Sequence, residues 1–289
     1  MHLLEIKRWI RHICKIITLG DLTLICFTVP YKLFFNSFGI SIFPFLSSIA
    51  KKFEKKITEH IKKRNLVAEF YGKKFYFPDL SALYVLDEEY EKETFNLLND
   101  LLTEETVFVD IGAHVGKYCV TLSERAHAVI AIEPDPINYS FLQKNCSTYS
   151  NIYLYNVACY NRCGTISFSL EGPSINRRII DKELHDMPKR EVRARTLDSI
   201  IKELEYTLSF SKLILKIDVE GAEHLVIFGA KEVIEKYRPI IVCEVWEDNF
   251  KEIVKFLSKY NYEYEIIEVN PIQALFRQGL QTFKTSRGR

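Results

Sequence analysis

The sequence has no Cys-x-x-Cys pair. Its seven cysteines, Cys14, Cys26, Cys119, Cys146, Cys159, Cys163 and Cys243, are odd in number and scattered over 289 residues. That argues against a disulfide scaffold and predicts reduced, buried thiols in a cytoplasmic setting. Cys159 and Cys163 could form half of a zinc site, but the other half is missing from the sequence, so no metal is expected. Repeats and low-complexity tracts are also missing. Net charge is nearly absent, with 39 Lys/Arg against 38 Asp/Glu.

The charge that is present is unevenly placed. Residues 1–64 carry twelve basic side chains and four acids, residues 65–276 carry 23 against 34, and the last thirteen add four basic side chains and no acid. A general nucleic-acid binder needs a basic body. This body is acidic, so no nucleic-acid partner is expected, and only the basic ends suit an anionic surface.

The first sixteen residues alternate apolar and basic without a small-residue cleavage site, so a cleavable signal peptide is not expected. Leu33 to Ala50 is eighteen residues without a charge, near the lower limit for a spanning helix. Asn36, Gly39, Pro44 and four serines weaken that reading. Lys51 to Arg64 then carries seven basic residues. Three readings stay open for residues 1–64: a helical cap on a catalytic domain, a peripheral membrane contact through residues 16–64 at the inner face, or a true span. The domain organisation expected is 1–64, a catalytic domain over 65–280, and a disordered basic tail over 281–289. The oligomeric state is not legible.

From Val67 onward strands alternate with helices. Val67–Pro78 reads as a hairpin, Asp87–Leu102 as a helix, Thr106–Ile111 as a buried strand and Val115–Arg125 as a helix. His127–Glu133 is a second strand, Pro136–Tyr149 a helix and Asn151–Ala158 a third strand. Gly164–Leu170 reads as an isolated strand and Glu171–Pro188 as a loop. Arg190–Leu197 alternates like a strand, and Asp198–Leu208 is a helix. Lys212–Gly221 is a fourth core strand, followed by a helix over Ala222–Tyr237. Pro239–Trp246 is the fifth, Asn249–Lys259 a helix, and Tyr262–Val269 and Ile272–Gln278 close the chain. Helices of ten to fifteen residues between strands predict an α/β fold, a doubly wound and mostly parallel sheet covered on both faces. Ligands in such sheets sit at the carboxyl ends of the strands, near the switch in strand order.

Asp110 ends the first core strand, and Gly112 and Gly116 follow at a spacing of four. Glycines there let the chain turn sharply and let a ligand approach the backbone. A dinucleotide loop reads G-x-G-x-x-G; here an acid holds the first position and the last spacing is one residue longer. An acid repels a pyrophosphate and suits an ammonium, as in S-adenosylmethionine. Glu133, at the end of the second strand, suits ribose hydroxyls. "KIDVEGAEH" holds Asp218, Glu220, Glu223 and His224. Asp218, Glu220 and His224 are candidate bases for an acceptor's proton, although acids at a helix start also favour its dipole. Asp218, Glu244 and His114 could share the sheet edge and hold a metal, yet their spacing is that of no dedicated ligand set. Tyr118, Tyr139 and Trp246 could stack on a ligand or belong to the core.

Taken together, "VDIGAHVGKY", "AIEPDPINYSFLQKN", "YNVACYNRCGTISF", "RTLDSII", "LILKIDVEGAEHLVIFGA" and "RPIIVCEVW" resemble the FkbM family of class I S-adenosylmethionine-dependent methyltransferases, over about residues 85–270. Many members have asparagine where this chain has His114. The resemblance implies a seven-stranded Rossmann-like sheet with an antiparallel last strand. It implies that Asp110, Gly112 and Gly116 hold the methionine part, with His114 in the same cofactor-binding loop, that Glu133 binds ribose, that Asn156 and Ala158 line the adenine edge, and that Asp218 closes the site near the methyl. It implies an O-methyltransferase acting on a hydroxyl of a sugar, glycolipid or natural product. Two other readings stand beside it: a non-catalytic binding or scaffold module with this fold, and a nicotinamide-dependent oxidoreductase.

Overall fold

The computed structural model describes residues 67–79, 81–169, 174, 179, 189–208, 210–269 and 272–278. The expectations for residues 1–64, for the tail over 281–289 and for most of loop Glu171–Pro188 lie outside the described residues. Among the described residues no helix is long and apolar enough to cross a membrane. Contacts divide the chain into two units, Met1–Asp87 and Glu88–Arg289. In the first, β1 (Val67–Phe70) and β2 (Lys73–Tyr76) form an antiparallel hairpin, followed by a short helix α1 (Ala82–Val85).

The second unit carries the expected sheet. Its strands are β3 (Thr106–Ile111), β4 (Ala128–Ile132), β5 (Ile152–Tyr155), β6 (Ala158–Cys159), β7 (Gly164–Ser169), β8 (Lys189–Arg195), β9 (Lys212–Ile217), β10 (Ile240–Glu244), β11 (Tyr262–Val269) and β12 (Ile272–Gln278). Its helices are α2 (Lys92–Leu101), α3 (Lys117–Leu122), α4 (Pro136–Cys146), α5 (Leu197–Leu204), α6 (Glu223–Phe228), α7 (Lys231–Tyr237) and α8 (Glu247–Leu257). Seven strands pair in the order β11-β12-β10-β9-β3-β4-β5. Neighbours from β10 to β5 run parallel, and β12 runs antiparallel to both β10 and β11.

β3 and β4 are buried along their whole length, and β9 beyond its first residue. Both faces are covered, which is why these strands read as mostly apolar runs, interrupted near their carboxyl ends by Asp110 in β3 and Lys216 in β9. The chain builds outward from β3 through β4 to β5 and then returns to lay β9 on the other side of β3. The switch in strand order therefore lies between β3 and β9, and their carboxyl ends open the crevice where such folds bind ligands. Asp135 caps α4, accepting the Ile137 amide at 2.8 Å with Pro136 in the first turn, a cap worth about 1 kcal/mol.

Four expectations are corrected. Asn151–Ala158 is two strands in two sheets, because the Asn156 amide donates to the Glu133 and Pro134 carbonyls and turns the chain after Tyr155. β7 is not isolated: it pairs antiparallel with β8, which pairs parallel with β6. The helix expected over Ala222–Tyr237 breaks after Phe228. Gly229 packs so closely that an added Cβ would lie 2.1 Å from the Tyr160 carbonyl oxygen. Its own carbonyl accepts the Asp198 amide, and Asp198 in turn accepts the Val233 amide in the first turn of α7. The helix expected from Asp87 begins only at Lys92, because Glu91 takes a left-handed backbone conformation (φ 53°).

Candidate active site

Successive side chains on a strand point to opposite faces, so register decides which of them meet. Asp110 on β3 lies opposite Lys216 on β9, Lys216 lies opposite Val242 on β10, and Glu244 lies opposite Gln273 on β12. Asp218 follows Lys216 by two. One face of the sheet, at its carboxyl edge, therefore carries Asp110, Lys216, Asp218, Glu244 and Gln273.

The glycine turn follows β3. The Gly112 and Ala113 amides donate to the Ile132 carbonyl, and the Asp218 amide donates to that of Ile111. Gly112 (φ 86°) has no space for a side chain: an added Cβ would fall 1.7 Å from the Asp218 carbonyl oxygen. Gly116 (φ 98°) starts α3, and a Cβ there would press on Leu142 at 3.0 Å. The two loops at the switch point are thus in backbone contact, which needs glycine at 112.

Asp110 is buried. One carboxylate oxygen accepts the Cys119 amide at 3.2 Å, and the other, Oδ1, has no hydrogen-bond partner among the described residues. Burial raises its pKa to about 6, opposed by Lys216 and reinforced by Asp218. Glu133 is also buried and accepts the amides of His114 (2.9 Å) and Asp135 (2.8 Å). Burial pushes it up to about 8 against those two bonds. An ionised carboxylate has about four acceptor positions, so two bonds leave capacity for a ligand hydroxyl.

Lys216 is buried with its Nζ 2.9 Å from Asp218 Oδ2 and 4.6 Å from the Tyr118 ring centre. Burial works against its charge, but Asp218, Glu91 and Asp110 outweigh it and hold the ammonium above its ordinary pKa. Lys117 is buried too, donating to the Tyr90 carbonyl at 2.8 Å and lying 3.5 Å from Glu91. Burial lowers it to about 8. Glu91 accepts the Tyr118 hydroxyl at 2.8 Å and the Gln273 amide at 2.9 Å. Burial, with Asp218, Glu220 and Glu91 nearby, raises Glu244 to about 9.

The other expected residues are placed as follows. His114 (φ 50°) has Nε2 3.1 Å from Ser174 Oγ, on the Glu133 side and not beside Asp218 and Glu244. Glu220 sits in the turn after Asp218 with a left-handed backbone (φ 58°). Glu223 clamps that turn by accepting the Val219 and Gly221 amides and Asn249 Nδ2. His224 lies edge-on to Phe228 at 5.9 Å. Asn156 is exposed, and Ala158 is buried in the small sheet's core with Tyr160, Ile166 and Phe168. Trp246, 37% exposed, stands beside Gly221, where an added Cβ would lie 3.8 Å from its ring. Sequence reasoning missed Glu91, Lys117, Lys216 and Gln273. The signal for Lys216 was present: a lysine inside an apolar strand, two residues before the acid at its end.

Residues 110–264 match the methyltransferase FkbM domain, more than half of the chain. The chain belongs to the FkbM methyltransferase family. No curated protein matches it. Similar solved structures include methyltransferase FkbM of Methylobacillus flagellatus KT, at 16% identity and TM-score 0.45, over 80% of this chain and 60% of that one. The family chain described here thus spans about 60% of that relative's length. M. jannaschii TYW2 in complex with AdoMet is similar at 17% identity and TM-score 0.40, over 73% and 85% of the two chains. A putative methyltransferase from Streptococcus mutans in complex with SAH is similar at 11% identity and TM-score 0.39, over 64% and 96%.

Proposed function

We propose that this FkbM-family chain transfers a methyl group from S-adenosylmethionine to a hydroxyl oxygen of a sugar, glycolipid or natural-product acceptor. The observation that carries the cofactor is the buried Asp110 oxygen left without a donor at the end of β3, directly before the glycine turn. A buried carboxylate oxygen in that state demands a donor, and an ammonium supplies one with opposite charge. A pyrophosphate would be repelled there, which speaks against a nicotinamide cofactor. When bound, S-adenosylmethionine supplies a methyl group already activated on sulfonium.

The chain's residues then have definite tasks. Asp110 receives the ammonium, Gly112 lets the backbone pass close to it, and Glu133 accepts ribose hydroxyls with its remaining acceptor positions. Asp218, only partly buried and held by Lys216, is the group best placed to take the acceptor's proton. Glu220 follows it in the same turn as a second candidate. The exposed Trp246 ring beside that turn offers a flat apolar face for an acceptor ring. A membrane-proximal acceptor belongs to the same reading, supported by the apolar and basic composition of residues 16–64.

Calorimetric titration with S-adenosylmethionine and, separately, NADH tests the cofactor. Wild type should bind the first alone, and Asp110→Ala and Glu133→Ala should each weaken it by about tenfold or more. Absence of binding to folded wild-type protein would sink the reading. Transfer of radiolabelled methyl to sugar and lipid-glycan hydroxyls then tests the acceptor.

A further inference from the structure

We propose that Glu91, Asp218 and Glu244 together bind one hard divalent cation, Mg2+ or Mn2+. Each offers a carboxylate oxygen, and the three oxygens lie within 4.8 Å of one another. Oxygens about 2.1 Å from Mg2+ are at most about 4.2 Å apart across the ion. Only one pair can lie across the ion and neighbouring oxygens come to about 3.0 Å, so closure by up to about 1.8 Å, within reach of side-chain rotation, brings all three into one coordination shell. Glu91 and Glu244 are buried, and Asp218 is partly open, which leaves a route for the ion.

Carboxylates alone do not make a site; Gln273 provides an independent observation. Its side chain is wholly buried, with its amide head between two of the three acids: Nε2 is 2.9 Å from Glu91 and 3.5 Å from Glu244. Its Oε1 has no hydrogen-bond partner among the described residues. Ionised carboxylates only accept and cannot satisfy that oxygen; only a protonated Glu244 could, and binding of a cation requires that proton to leave. Water on a divalent cation is a strong donor, and a hydrated ion between the acids would satisfy it.

Charge points the same way. With Glu244 ionised, as cation binding requires, Glu91, Asp110, Asp218 and Glu244 face two buried cations, Lys117 and Lys216. Lys216 engages only one Asp218 oxygen, Oδ2. The metal set weighed from sequence paired Asp218 and Glu244 with His114. The structure replaces His114 with Glu91, whose left-handed backbone precedes α2 and whose carboxylate reaches the sheet edge. The three ligands come from three separate elements, so no local spacing announces them.

The cation's binding stands on its own. Its use rests on the methyltransferase reading: an open coordination position would take an acceptor oxygen and orient it beside Asp218. The test is electron paramagnetic resonance titration of the full-length protein with MnCl2 and no cofactor, alongside calorimetric titration of wild type with S-adenosylmethionine. One Mn2+ per chain, displaced by MgCl2, is expected, with affinity lowered about tenfold or more in Glu244→Gln and largely kept in Glu244→Asp. Glu91→Gln should act likewise, with its fold checked by circular dichroism. No bound Mn2+ at millimolar concentration, or wild-type affinity in folded Glu244→Gln, would overturn the proposal. Mn2+ binding without S-adenosylmethionine binding would support the cation site and sink the cofactor reading; the reverse result would do the opposite.

Discussion

Replacing Gly112 with alanine tests the link between backbone packing and the site. The added Cβ would fall 1.7 Å from the Asp218 carbonyl oxygen, where a carbon and an oxygen in contact keep about 3.3 Å. The loops after β3 and β9 must then part by roughly 1.6 Å, which disrupts the 3.0 Å bond from the Asp218 amide to the Ile111 carbonyl. The positive φ adds about 1–2 kcal/mol, and the overlap about 1–3 kcal/mol. Melting should fall by roughly 10 °C for a chain of this size. Two controls separate the contributions. Gly164 has φ 145° and open space around it, so Gly164→Ala carries only the backbone cost. Gly229 lacks a positive φ but an added Cβ would fall 2.1 Å from the Tyr160 carbonyl oxygen, so Gly229→Ala carries only the overlap, away from the Asp110–Asp218 edge. Thermal melts and S-adenosylmethionine titration read all three. Gly112→Ala alone should lose about a hundredfold in methyl transfer or cofactor affinity, since a shift near 1 Å at a reacting centre costs that much. If Gly112→Ala melts and binds like Gly164→Ala, the reasoning is wrong.

Cofactor affinity should fall as pH drops through about 6, where Asp110 takes up a proton and can no longer pair with an ammonium; Asp110→Asn should lower affinity and remove this pH dependence. Glu133 titrates at about 8 in the fold, above its ordinary value, so the stability its proton gives is complete below about pH 4.5 and is lost as pH rises through 8. Glu133→Gln should therefore flatten the fall in melting temperature across that window. Lys216→Met should cost about 3 kcal/mol in urea unfolding, because it leaves Asp218, Asp110 and Glu91 without their central cation.

The sequence made the sheet legible where burial was complete or alternation regular. Thr106–Ile111, Tyr262–Val269 and Ile272–Gln278 end where their residues suggested. It hid events decided by contacts distant in sequence. Nothing within Asn151–Ala158 says that Asn156 will bond to carbonyls 22 and 23 residues earlier. Nothing within Ala222–Tyr237 says that Gly229 must lie against Tyr160. Asp110 and Asp218 were visible because each ends an apolar strand. Glu91 was not, since in sequence it is one more acid in an acidic stretch, and only its left-handed backbone and burial set it apart.

The same asymmetry explains the chemistry of the edge. Register places Lys216 opposite Asp110 and two residues before Asp218, so one buried ammonium serves both acids. Glu91 then enters from the segment before α2, bridging to Tyr118 and Gln273, and Glu244 lies opposite Gln273 on the next strand. Acids therefore outnumber cations on one buried face. Isolated buried charge is costly, and the raised pKa values of Asp110 and Glu244 express that cost. A fold retains such an excess where an incoming cation relieves it. An ammonium at Asp110 relieves the β3 end, but Glu244 and Gln273 lie on the far side of β9. At that end Glu244 holds a proton near neutral pH, which a second positive partner would displace, so a cofactor alone does not account for the whole edge.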